Sequence, residues 1–115
     1  YGRGVYWAKE AADKFPGVVE IIDLRSIVPV DMDAIVASVE KTNRCLVLTE
    51  EPVENSFGMS LSGQIAQTCF EHLDAAPITV GSESLPAIPL NSEMEAAVLP
   101  SAEKVAAKIE ELLNY

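Results

Sequence analysis

Arg44-Cys45-Leu46-Val47-Leu48-Thr49 is the stretch on which the fold turns. Its centre is apolar at consecutive positions, so neither face of an extended chain would meet water, as an interior strand of a parallel sheet requires. Just upstream, Met32, Ile35, Val36 and Val39 recur at helical spacing and predict a helix over 32–41. Asp31 is placed to cap it, because its carboxylate accepts from the first free backbone N–H groups. Further back, Val18-Val19-Glu20-Ile21-Ile22-Asp23-Leu24 has the same β-branched, two-faced character and predicts a second interior parallel strand over 19–24. Before that strand, Val5, Ala8, Ala12 and Phe15 mark a helix over 5–14, which Pro16-Gly17 ends.

On the other side, Glu50 to Gly58 reads as a loop punctuated by proline and glycine. Ile65, Ala66, Cys69 and Leu73 are the inward face of a helix over 59–73, and Pro77-Ile78-Thr79-Val80-Gly81 is a short third strand. Residues 82–99 hold no sustained period and are interrupted by Pro86 and Pro89, so they read as a long loop of the kind that carries function or an interface. Pro100-Ser101 opens a last helix over 102–113, with Val105, Ile109, Leu112 and Leu113 on its buried face. The order α-β-α-β-α-β-loop-α predicts a three-layer α/β/α sandwich on a mainly parallel sheet, doubly wound with right-handed crossovers, as one domain over 1–115. Only Tyr1-Gly2 precedes the first helix, where a βαβ unit calls for a strand. Those two residues therefore read as the end of a truncated first strand, and the chain as a fragment of a longer subunit.

Charge narrows the partners. The 115 residues carry 18 acidic and 8 basic side chains, a formal net charge of -10. That balance argues against nucleic acid and anionic membrane surfaces and favours basic partners. Cys45 and Cys69 lie in apolar runs without CxxC spacing and read as small hydrophobes of a reducing compartment. No signal peptide and no apolar run near ~18 residues is visible, which predicts a soluble protein.

The chemistry-bearing residues are few. Gly2-Arg3-Gly4 sits where a dinucleotide turn would, but Trp7 replaces the third glycine of that fingerprint, so the glycines are read as turn residues. His72, the single histidine, lies near a helix C-terminus, where the helix dipole alone accounts for it. Glu50-Glu51 leave the C-terminal end of a central strand, the usual ligand position in open parallel sheets, although adjacent side chains diverge along an extended chain. Arg25, after Asp23-Leu24 at the end of the other predicted strand, is read as part of a buried or interdomain ion pair rather than a substrate contact. Neither a phosphate loop nor a catalytic triad is present, so pattern alone stops at an acidic α/β domain.

Several stretches resemble one family. Gly4-Val5-Tyr6-Trp7-Ala8-Lys9-Glu10-Ala11-Ala12 resembles the first helix of the transketolase C-terminal domain, and Ile22-Asp23-Leu24-Arg25-Ser26-Ile27-Val28-Pro29-Val30-Asp31 resembles its "IDLRTLxPLD" signature. Lys41-Thr42-Asn43-Arg44-Cys45-Leu46-Val47 resembles "KTGRCLVV", and Ser56-Phe57-Gly58 resembles the start of "GGFGAE". Val98-Leu99-Pro100-Ser101 and the terminal Leu112-Leu113-Asn114-Tyr115 are similar to the ends of E1 β subunits of 2-oxo acid dehydrogenase complexes. The resemblance implies thiamine-diphosphate-dependent oxidative decarboxylation of a branched-chain 2-oxo acid or pyruvate by the full enzyme, with acyl transfer to a lipoyl group on E2. It implies thiamine diphosphate and magnesium in that enzyme and none bound by this domain, whose isolated form is expected to be inactive. It implies as partners an E1 α subunit or domain, a second E1 β and the basic E2 subunit-binding domain. The setting it implies is the bacterial cytoplasm, or the mitochondrial matrix if the source is eukaryotic. Transketolase, deoxyxylulose-phosphate synthase, a 2-oxo acid:ferredoxin oxidoreductase and a free-standing interaction module are the alternatives. No catalytic residue carries over. Glu50, Glu51, Glu71, Asp74 and Tyr115 are the candidates for subunit and E2 contacts. Two departures are visible: Glu50-Glu51-Pro52 stands where branched-chain members often have His-Glu-Ala-Pro, and Gly58-Met59-Ser60 stands where "GAE" is usual.

Overall fold

The computed structural model describes all 115 residues. Leu46–Pro52 forms the first strand, β1, and Ile78–Ser82 the second, β2; they pair in parallel, with Leu46 opposite Ile78 and Leu48 opposite Val80. Around them lie α1 (Gly4–Ala12), α2 (Met32–Thr42), α3 (Phe57–Thr68), α4 (Ser92–Val98) and α5 (Ala102–Leu113). Alternation along β1 sends its residues to two separate cores. Val47, with Cys45 beside it, joins Ile35, Val39, Leu61, Ile65 and Cys69 beneath α2 and α3. Leu48, with Leu46 beside it, joins Ala11, Val105 and Ala106 beneath α1 and α5. Helices thus cover both faces of the strands, and the α/β class and layering expected from the sequence are observed.

The predicted strand over 19–24 is not formed. No backbone N–H of Val19 to Leu24 donates to another backbone group, and no carbonyl of Val19 to Asp23 accepts. Its residues are β-prone, but no neighbouring strand lies within pairing reach, and a strand exists only as one side of a ladder. The sheet consequently has two strands.

Other boundaries move for local reasons. The segment after Thr49 is not loop at once: β1 continues through Glu50-Glu51-Pro52, with a register shift between Leu48 and Pro52. The next N–H, that of Val53, donates to Ser82 O at 3.3 Å. α3 starts at Phe57 rather than Met59, because Ser56 Oγ accepts from Met59 N at 2.9 Å and caps the helix. It ends at Thr68, and Phe70–His72 tightens to a 3-10 turn. The stretch over 82–99 is not all loop, since α4 lies within it, with Asn91 Oδ1 accepting from Glu93 N and Met94 N. The expected Asp31 cap is present at 3.0 Å from Ala34 N, and Ser101 caps α5 through Lys104 N.

Candidate interaction surface

The five candidate residues divide between the two ends of β1. At the C-terminal end, Glu51 turns inward. Its Oε1 accepts from the Tyr1 hydroxyl in a very short bond and from Thr49 Oγ1 at 3.1 Å. Thr49 is fully buried, and its hydroxyl also lies 2.7 Å from Tyr1 Oη. The Tyr1 bond, followed by those from Thr49 and from the backbone of Gly58 and Phe57, holds the Glu51 carboxyl below the usual carboxylate range, against a smaller opposing effect of burial. Tyr1 moves the opposite way: burial, then its bond to Glu51, raises the phenol above its ordinary value. Tyr1 also meets Phe57 edge to face, with ring centroids 5.6 Å apart. Glu51 thus ties the N-terminal residue to the start of α3, while Glu50 points to solvent.

At the N-terminal end, Arg44 gathers the rest. Its Nη1 lies 3.2 Å from Asp74 Oδ2, and its Nε donates to Leu112 O at 2.8 Å. Asp74 N donates to Asn43 O, and Asn43 Nδ2 donates to His72 O at 2.8 Å. Asn43 adopts a left-handed φ of 60°, which asparagine tolerates at a helix end. One arginine therefore joins the turn bearing Glu71 and Asp74 to the end of α5. Glu71, Asp74 and Tyr115 are all exposed there, and Glu40 Oε1 stands 3.6 Å from His72 Nε2. Six residue steps of near-extended chain, roughly 20 Å, separate Arg44 from Glu50. Asp74 and the end of α5 thus meet at Arg44, while Glu50 and Glu51 lie at the opposite end of β1.

Two residues that organise these ends were not singled out from the sequence. Arg44 carried a signal, since a charged residue opening an apolar strand needs a partner. Tyr1 carried none, because its role depends on Glu51, 50 positions away. The glycine turn near Tyr1 is a packing feature: a Cβ on Gly4 would stand 3.2 Å from Leu48 Cγ and from Leu48 O. Gly2, at φ 56°, makes the turn into α1. The buried or interdomain ion pair expected of Arg25 is not formed: Arg25 is exposed and pairs with Asp23, two residues away, at 2.6 Å. Cys45 and Cys69 are free thiols, and burial pushes the Cys45 thiol up to about 11. No helix is long and apolar enough to cross a membrane.

Comparison with known proteins places these features in a family. A family model described as "Transketolase, C-terminal domain" matches residues 1–105. The 2-oxoisovalerate dehydrogenase subunit beta of Pseudomonas aeruginosa is 47% identical over 75 residues, covering 65% of this chain and 21% of that protein. Its counterpart from Bacillus subtilis is 30% identical over 118 aligned positions, covering 100% of this chain and 36% of that protein. The pyruvate dehydrogenase E1 component subunit beta of Rhizobium meliloti is 33% identical, covering 91% and 23%. The chain therefore spans about a third or less of the length of these relatives.

Proposed function

Because this chain belongs to the transketolase C-terminal domain family, we propose that it is the assembly domain of the β-type E1 subunit of a 2-oxo acid dehydrogenase complex. The observation that carries the reading is likeness along the whole chain to a 2-oxoisovalerate dehydrogenase β subunit. The full enzyme is then an oxidoreductase that oxidatively decarboxylates a 2-oxo acid, and the Pseudomonas relative favours a branched-chain acid over pyruvate. Measuring decarboxylation of 3-methyl-2-oxobutanoate and of pyruvate by the assembled α and β subunits tests it. A several-fold preference for the branched acid is expected, and activity on neither would overturn the assignment.

Thiamine diphosphate and magnesium serve that enzyme from elsewhere in it. The residues of this domain do not fit the cofactor: Gly4 packs against Leu48, and no group of three or more His, Cys, Asp or Glu side chains is placed to hold the metal that a diphosphate needs. A cavity of about 420 Å³ beside β1 has mainly apolar walls. Glu51, the carboxylate at the ligand end of β1, is occupied by Tyr1 and Thr49.

The domain's own work is contact with an E1 α subunit, a second E1 β and the basic subunit-binding domain of E2, in the bacterial cytoplasm. Glu71 and Asp74, with the exposed Tyr115 ring, form the end offered to E2, where charge sets on-rate and specificity and a few desolvated pairs set affinity. Arg44 already offsets part of Asp74, so Glu71 is the freer charge. Intact E1 carrying Glu71→Lys and Asp74→Lys should bind the E2 domain at least about fivefold more weakly, with a flatter salt dependence. Unchanged affinity and unchanged salt slope would remove this face from docking.

A further inference from the structure

The far side of β2 carries backbone groups that nothing else in the chain uses. Ile78 N donates to Cys45 O and Val53 N donates to Ser82 O, so Ile78, Val80 and Ser82 turn their amide and carbonyl groups toward β1. Thr79 and Gly81, between them, turn theirs the opposite way, where neither has a backbone partner. Open edges are usually blunted by charged side chains or proline, and Ile78-Thr79-Val80-Gly81-Ser82 holds neither. The helix beside this edge is just as free of charge. Thr79 Oγ1 lies 2.7 Å from Ser62 Oγ and 3.9 Å from Met59 Sδ, which sets that side of α3 along β2. Met59, Gly63 and Gln67 follow one another there at helical spacing, with Phe70 beyond, and all four are exposed. A Cβ on Gly63 would meet nothing within 4 Å. From Asn55 to Phe70 and from Ala75 to Ser82 no residue is charged, although the chain carries 18 acidic and 8 basic side chains.

We propose that this uncharged edge, β2 with the flanking side of α3, is the seat of a second copy of the same chain, paired antiparallel about a twofold axis at Val80. The inference rests on the reading above, in which the enzyme holds a second β subunit. The pairing is self-complementary: Thr79 of each copy faces Gly81 of the other, and the two residues exchange their N–H···O bonds. Val80 then faces its own counterpart, and the sheets join in the order β1-β2-β2-β1. Charge selects the occupant. At a net charge of -10 two copies repel each other, least where neither presents a carboxylate, and this face presents none. A basic partner gains nothing here and is drawn to Glu71 and Asp74 instead. Met59 and Phe70 supply apolar contact at the joint, and Gly63 leaves room for the neighbouring helix.

Cβ atoms of opposed residues in such a pair stand about 4.5–5.5 Å apart, close enough for a disulfide between cysteines. The test uses the full-length β chain assembled with α and oxidised with copper phenanthroline. Val80→Cys should link β to β in at least about tenfold the yield of Leu90→Cys, which places a thiol at a fully exposed position. Adding Thr79→Pro removes the outward N–H, spares the ladder to β1 and should reduce the yield to that of Leu90→Cys. Thr79→Val loses the hydroxyl bond to Ser62 but keeps that N–H, so the link should persist. No link from Val80→Cys, or a link that Thr79→Pro leaves intact, would overturn the proposal. So would a loss on Thr79→Val as large as on Thr79→Pro. Decarboxylation by the parent enzyme separates the two claims. Activity without the link rejects this surface alone, whereas a link without activity rejects the E1 reading and upholds the pairing.

Discussion

Residues 44–49 and residues 19–24 are near twins in composition, yet one contains the start of a strand and the other does not. Both are rich in β-branched and aliphatic residues, the first with Arg44 at its margin and the second with Glu20 and Asp23 inside it. β1 has β2 beside it, registered from Leu46–Ile78 onward, and helices on both faces. The upstream run has apolar contacts, since Ile22 and Leu24 pack against the α2–α3 core, but no backbone neighbour. Burial pattern and β-propensity are therefore not sufficient for a strand; the ladder partner decides.

That contrast can be broken from either side, and the largest effect lies under the paired strand. Ile65, 1% exposed beneath β1, should cost about 2–5 kcal/mol on replacement by alanine. Ile21→Ala, on a half-buried residue lining the cavity beside β1, should cost about 1 kcal/mol or less. Urea unfolding of both variants measures the difference, and equal losses would mean that the two runs are equally integrated. Gly81→Ala attacks the ladder itself. A Cβ there would stand 2.5 Å from Glu51 O, so β2 must shift, at about 1–3 kcal/mol. Its signature is faster amide exchange in β1 and β2 with residues 19–24 unchanged.

A smaller effect concerns pH at the C-terminal end of β1. The folded Glu51 carboxyl titrates below its ordinary value of about 4, chiefly because Tyr1 donates to it. Its contribution is therefore complete above that ordinary value and is lost as pH falls through the lower folded value. Glu51→Gln should lower Tm by a few degrees at pH 7, with the gap to the parent closing as pH falls below the ordinary glutamate value. A gap independent of pH would show that the carboxylate charge contributes nothing.

Much of this was legible in the sequence wherever local signals suffice. Asp31 and Ser101 announce their helices by side-chain chemistry alone, and the two-faced pattern of β1 announces the layers. α4 was legible too, since Asn91-Ser92-Glu93 is a cap followed by an acidic first turn, but the prolines at 86 and 89 obscured it. The failed strand over 19–24 and the Tyr1–Glu51 tie were not legible, because each depends on what lies beside a residue rather than along the chain. The candidate acidic face lies between these cases. Its charges are visible in sequence, but the grouping of Asp74 with the end of α5 rests on Arg44 spanning both.

Residue-resolved amide hydrogen exchange on the 115-residue chain tests most directly whether the partner makes the strand. Amides of the β1–β2 ladder should exchange at least about a hundredfold more slowly than those of Val19 to Leu24, for ladder bonds open only with the fold while unbonded amides are free. Protection of residues 19–24 equal to that of β1 in the monomer would contradict it, because an apolar run would then hold strand-like order with no ladder at all.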